Sequence, residues 1–326
     1  MNYYNVAIIG VGGLGARHLQ ALQNISVPIS IQAVDVSEES LDNAKKVCGE
    51  ITNENIVSIE YLQDISYLNR QLDVVIIATS SNTRKAVIEY LLENRTVKYL
   101  ILEKVLFQKM DDYEYIENLL KEKNVKTWVN CPRRMYKSYD DLRNALAKQG
   151  KLSFLIQGAN WGLGCNLIHM LDMIDYITNS QQDIVCNGDL LDAEVLESKR
   201  KGYIEFSGTV SGSIGGSTFV ITSASAGDFP VTIHVIGQDI ICIIREYERK
   251  IFIATKESNW KFVEKPFEMQ YQSQLSNILV EDLIKTSSCS LPTYEISKKL
   301  HVNILDMFLK HLNKNGIERI EICPIT

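Results

Sequence analysis

The first 130 residues alternate between short apolar runs and stretches with helical periodicity, a pattern that predicts strands separated by amphipathic helices. Apolar strands are expected at 5–9, 29–34, 73–79 and 98–102, with weaker ones at 56–60 and 126–130. The run Asp73-Val-Val-Ile-Ile-Ala-Thr79 is apolar at nearly every position, as a parallel strand covered on both faces requires. Helices fall between the strands: one opening after Gly15, one capped by Ser37 and reaching Cys48, one from Ser80-Ser81-Asn82 to Asn94, and one over 111–123.

After residue 130 the pattern changes. Pro132-Arg133-Arg134 interrupts it, a helix follows to about Lys148, and alternation then predicts strands at 154–160, 203–210, 217–223, 231–236, 240–245, 250–254 and 261–263. These read as an antiparallel meander. The glycines within 211–216 read as a hairpin turn, because no helix follows them. An apolar helix over 166–176 lies between the strands, and helices at 271–285 and 293–313 close the chain. The expected fold is α/β, with a dinucleotide-binding parallel-sheet domain at 1–130 and a second domain at 131–326 built on a large open, mostly antiparallel sheet.

The length of 326 residues suits two domains, and 45% hydrophobic with 23% charged residues is ordinary for a soluble protein. A net charge of -6 without a basic cluster argues against nucleic acid as a partner. The seven cysteines have no C-x-x-C pair, which fits reduced thiols in the cytoplasm, and no metal site is expected from their spacing. No apolar run is long enough for a membrane span.

Gly10, Gly12, Gly13 and Gly15 lie between the first strand and its helix. Gly10 permits the sharp turn, Gly12 lets phosphates approach the backbone, and Gly15 lets the helix pack closely on the strand. Gly13 and Leu14 belong to the same candidate phosphate loop. The second strand ends at Asp35, close to the ~20-residue spacing of an acidic group that binds a ribose diol. Its carboxylate, followed by Val36-Ser37 with no arginine, favours NAD over NADP. Ligands of open parallel sheets sit beyond the carboxyl ends of the strands, where Gly10, Asp35, Thr79 with Ser80, and Glu103-Lys104 all fall.

In the helix over 166–176, His169 and Asp172 share a face. That histidine is open to two readings, a proton relay or a core residue satisfied by Asp172. The segments Gly10-Val-Gly-Gly-Leu-Gly-Ala-Arg-His18, Ala78-Thr79, Glu103-Lys104 and His169-Met-Leu-Asp172, in this order, resemble the glucose-fructose oxidoreductase and inositol dehydrogenase family along the whole chain. The resemblance implies a Rossmann domain followed by an α/β domain with a large open sheet. It implies that Lys104, matching the lysine of a Glu-Lys-Pro motif, and His169 flank the sugar carbon that faces the nicotinamide. Asp172 matches an orienting or structural aspartate of the family.

Two departures bear on the chemistry. Val105 stands where the family has proline, so the peptide after Lys104 is either trans with the lysine aimed differently or cis. Cys165 stands where many members have aspartate, and a thiol cannot orient a protonated histidine as a carboxylate does. Lys104 is then expected to carry the acid/base role alone, with Asn166 as a neutral partner for a sugar hydroxyl. Arg84, where members often have histidine, is assigned no function.

The expected function is hydride transfer between NAD and a secondary alcohol or ketone of a sugar-like substrate. The catalytic candidates are Lys104 and His169. Arg133 is a candidate for a substrate carboxylate or phosphate, Trp161 for stacking on a sugar ring, with a surface charge and a core aromatic as the respective alternatives. Segments 291–294 and 323–326 resemble members associated with bacterial surface-sugar synthesis, which implies an activated or acidic sugar. The alternative is a non-catalytic NAD-binding sensor on the same fold. One free sheet face predicts a homodimer or homotetramer.

Overall fold

The computed structural model describes residues 3–50, 52–180, 183–314 and 319–326. The chain divides into two compact units, the first formed by 1–107, 111–132 and 270–295, the second by 108–110, 133–269 and 296–326. No helix among the described residues is long and apolar enough to cross a membrane.

The first unit holds β1 (Tyr4–Ile9), α1 (Gly13–Leu22), β2 (Ile29–Val34), α2 (Glu38–Cys48), β3 (Ile56–Leu62), β4 (Gln71–Ile77), α3 (Ser81–Asn94), β5 (Thr96–Leu102), α4 (Met110–Glu122) and β6 (Lys126–Val129). Its six strands are parallel and lie in the order β3-β2-β1-β4-β5-β6. All of β2 and the last four residues of β1, β4 and β5 are buried. Each such Val, Leu or Ile contributes about 1.5–3 kcal/mol relative to exposure, and this is the core that holds the strand ends in place.

In the second unit, α5 (Lys137–Leu146), β7 (Ser153–Ala159), α6 (Leu163–Thr178), β8 (Ile184–Leu191), β9 (Leu196–Glu197), β10 (Ile204–Glu205), β11 (Gly208–Ile214) and β12 (Ser217–Ala224) come first. They are followed by β13 (Thr232–Ile236), β14 (Ile240–Arg245), β15 (Lys250–Thr255) and β16 (Val263–Pro266). Eight strands form one sheet in the order β16-β15-β14-β13-β7-β12-β11-β8. Its pairs are antiparallel except β7 with β12, which are parallel, so the expected simple meander is corrected to a mixed sheet. Phe219 and Ile221 of β12, Val235 of β13 and Cys242 of β14 are buried, and α6 packs against β11 and β12. Val220 and Ile236, of opposite parity, are 40% and 43% exposed on the single chain.

The expected strand over 203–210 is divided. Ile204–Glu205 pairs with β9, and Gly208, at φ +98°, starts β11. The hairpin turn is confined to Gly215 and Gly216, at φ +56° and +82°, with Ile214 opposite Ser217. Such a two-residue loop needs two left-handed positions, which glycine supplies. α7 (Ser276–Thr286) departs from the single boundary expected near residue 130, because it packs on α1 and β4 with Leu279, Val280 and Leu283 buried. α8 (Tyr294–Asn313) closes the described helices.

Candidate functional site

The first unit contains a cleft of about 630 Å³ lined by Gly10, Gly12, Asp35, Thr79 and Ser80, with Ile65, Val87 and Tyr90 among its apolar walls. Its shape depends on glycine at two positions. A Cβ on Gly15 would lie 1.8 Å from the Gly10 carbonyl oxygen, and one on Gly10 would lie 2.9 Å from the Thr79 nitrogen. Around Gly12, by contrast, a Cβ would meet nothing within 4 Å, which leaves the backbone open to a ligand. Gly13 and Leu14 form the first turn of α1 and lie outside the cleft lining.

The N-terminus of α1 has no side-chain cap and no acidic residue in its first turn, so its amides and dipole suit an anion. Asp35 stands at the end of β2, where its Oδ1 accepts the Ser37 amide at 2.9 Å, and Ser37 in turn caps α2. The hydroxyl of Thr79 is buried at the cleft wall with no hydrogen-bond partner among the described residues. These features fit a dinucleotide: amides for its pyrophosphate, a carboxylate for its ribose and an apolar wall for its base.

Glu103, expected at the cofactor, is instead 3% exposed and turned into the protein. His18 Nε2 donates to its Oε1 at 2.9 Å, and Asn130 Nδ2 donates to the same oxygen at 2.5 Å. Nδ1 of His18 lies 2.7 Å from Ser276 Oγ on α7. Burial opposes the charge on Glu103, but His18, Asn130 and the Lys104 ammonium together hold its carboxyl below the usual range. This correction has a plain cause: a carboxylate so buried is satisfied by buried donors. His18 therefore ties α1 to the residue preceding Lys104. Its signal was a polar residue among the buried positions of α1.

Lys104 follows β5, is half-buried, and the Lys104-Val105 peptide is cis.

In the second unit, Cys165, Asn166 and His169 are the half-buried positions in the first half of α6, whose neighbours Leu167, Ile168, Met170 and Leu171 are buried. The helix starts after Gly162 in the left-handed region, and Glu205 caps it, accepting the amides of Gly164 at 2.6 Å and Cys165 at 3.3 Å. Asn166 Nδ2 donates to the Trp161 carbonyl at 2.7 Å, and Trp161 Nε1 donates to the Thr222 carbonyl at 3.0 Å.

The two adjacent arginines serve the interior. Arg134 donates to Asp172 from Nη2 at 2.7 Å and from Nε at 3.0 Å, and to Asp175 at 2.9 Å. Burial pushes the Asp172 carboxyl up to about 6 against the pull of Arg134, and Asp175 adds to the rise. Asp172 is thus the structural partner of Arg134. Arg133, expected at a substrate anion, is corrected likewise: its Nε and Nη2 meet both oxygens of Glu246 at 2.9 and 2.7 Å, and Tyr139 donates to the same carboxylate at 2.6 Å. A fork filled by a carboxylate of the protein has no need of one from a ligand. Among the described residues, no group of three or more His, Cys, Asp or Glu is arranged to hold a metal ion.

Residues 4–131 match the model of the Gfo/Idh/MocA oxidoreductase family, which has an NAD-binding Rossmann fold. No curated protein matches the chain in sequence. Among solved structures, UDP-N-acetylglucosamine 3-dehydrogenase GnnA from Acidithiobacillus ferrooxidans is similar with a TM-score of 0.69 at 15% identity, covering 94% of this chain and 97% of its own. Scyllo-inositol dehydrogenase from Lactobacillus casei, solved with NAD(H) and scyllo-inositol, has a TM-score of 0.65 at 17% identity, covering 94% and 96%. A super-repressor mutant of Gal80p from Saccharomyces cerevisiae has a TM-score of 0.71 at 15% identity, covering 95% and 97%. At these identities the likeness establishes the fold.

Calorimetric titration is expected to show NADH binding at least about tenfold tighter than NADPH, a difference of ~1.4 kcal/mol, because Asp35 opposes a 2′-phosphate. Asp35→Asn should narrow that gap, and equal affinities in the unmodified protein would contradict the assignment.

Proposed function

We propose, for a chain whose residues 4–131 match the model of the Gfo/Idh/MocA oxidoreductase family, that it transfers a hydride between NAD and a secondary alcohol or ketone of a sugar-like substrate. The observation that carries this reading is the position of Lys104. It is a half-buried lysine just beyond β5, the strand adjacent to β4, and Thr79 at the end of β4 lines the dinucleotide cleft. Its predecessor Glu103 is fixed by His18 and Asn130, so the chain that presents the lysine is anchored.

When bound, NAD supplies the carbon that accepts or returns the hydride. The proton is the work of the protein: Lys104 Nζ takes it from the hydroxyl during oxidation and gives it back during reduction. His169 is assigned an assisting contact to that hydroxyl, Asn166 Oδ1 an acceptor role toward a second one, and Trp161 a ring contact. The loss of a carboxylate at Cys165 makes His169 the lesser partner. Two structural neighbours named for a nucleotide sugar and an inositol support a sugar-like substrate, and the former supports an activated sugar. The seven cysteines, odd in number and without a C-x-x-C pair, suit reduced thiols, which supports the cytoplasm as the place of action.

Turnover of nucleotide sugars, acidic sugars and polyols with NAD(H) tests the assignment. Lys104→Met should retain NADH binding while kcat falls by the ~10²–10⁴ of a lost general acid or base, and His169→Asn should cost less. A protein that binds NADH yet turns over no sugar would be the regulatory member of the fold. Loss of turnover in His169→Asn with Lys104→Met intact would reverse the roles.

The uncovered face of the large sheet, with Val220, Ile236, Ile241 and Ile243, is further proposed to join copies of the chain as a dimer or tetramer. Light scattering at micromolar concentration should give that multiple, with Ile236→Lys shifting it toward monomer. A monomeric unmodified protein would refute it.

A further inference from the structure

Arg84 has no place in the chemistry above, although it is the largest side chain among those almost fully removed from solvent, at 1% exposure. It projects from the first turn of α3, and its guanidinium is occupied by main-chain carbonyls. Nη1 donates to the oxygens of Val105 and Leu106, the latter at 2.9 Å, and Nη2 donates to the oxygen of Thr79. Those carbonyls belong to two loops at the ends of adjacent strands, one after β4 at the wall of the dinucleotide cleft and one immediately following Lys104.

We propose that Arg84 is a positioning residue, whose buried fork clamps the loop that presents Lys104 to the loop that walls the cofactor cleft, so that the lysine is held at one place relative to the bound dinucleotide. The chemistry of the side chain suits the task. A guanidinium has five donors in a rigid plane, is charged at every working pH, and bridges several carbonyls at once. Neither lysine nor methionine can do so, since the first is a point charge on a flexible stem and the second has no donor. A small displacement of a catalytic group is enough to matter, because a misplacement of about 1 Å can cost on the order of 10² in rate.

The proposal rests on the reading of Lys104 as the proton-transferring group, and the test separates the two. Lysines of the NADH-bound protein are dimethylated with a ¹³C label, and the Lys104 signal is identified by its absence from Lys104→Met. In Arg84→Met and Arg84→Lys that signal should move toward those of surface lysines while the others hold. On a sugar that the unmodified protein turns over, kcat should fall about tenfold to hundredfold. KM and the NADH dissociation constant should stay within about threefold, and added guanidinium should restore part of the rate to Arg84→Ala. Arg84→Lys keeps the buried charge and decides the matter if Arg84→Met does not fold. An unmoved Lys104 signal in a folded Arg84→Lys, or NADH affinity that falls as far as kcat, would overturn the proposal. The Lys104 signal decides the role of Arg84 whether or not any sugar is turned over.

Discussion

The approach of α1 to the end of β1 is the constraint on which the first unit depends. With 1.8 Å between the Gly10 carbonyl and the place of a Cβ on Gly15, no side chain of any kind fits there, and the helix can start directly over the strand. Its N-terminal amides are left uncapped beside Gly12, which lines the cleft, and His18, in the second turn of the same helix, arrives at Glu103. One close contact between two glycines therefore sets both the anion site and the support of the lysine strand. The parallel core of β1, β2, β4 and β5 holds the remaining ends at fixed distances.

Much of this was legible in the chain because it is local. Strands buried on both faces leave apolar runs, helices between them leave periodic ones, and a parallel order puts every ligand residue at a strand end. Gly10, Gly12, Asp35 and Thr79 were found in that way and line one cleft. The illegible part consists of partners far apart in sequence. Glu103 is 85 residues from His18, and Arg133 is 113 residues from Glu246. An arginine before a new domain looks the same in the sequence whether it faces a substrate or a buried carboxylate. Strand β8 escaped for another reason: its more buried alternate positions after Ile184 hold Cys186 and Gly188, so the sequence shows no run of apolar alternation.

The second unit uses buried charge where the first uses apolar strands. Arg134 with Asp172 and Asp175, and Arg133 with Glu246 and Tyr139, pin the start of the unit to α6 and to the end of β14. Removing one member of such a pair typically costs about 3–5 kcal/mol, a large share of the stability of a domain. Both arginines are therefore held by buried carboxylates of the same unit, while Asn166 and His169 of α6 remain half-buried. Glu205 at the N-terminus of α6 fixes the helix from its other end.

Direct transfer of hydrogen to the sugar can be followed by isotope, without reference to any one residue. NADH carrying deuterium on one face of its nicotinamide C4 is incubated with the protein and a panel of keto sugars, free and nucleotide-linked, and the sugars are weighed by mass spectrometry. One sugar alcohol heavier by a single deuterium on its carbinol carbon is expected, with no gain when the label is on the opposite face. NADH that binds at the cleft and leaves every sugar unlabelled with either face would contradict it.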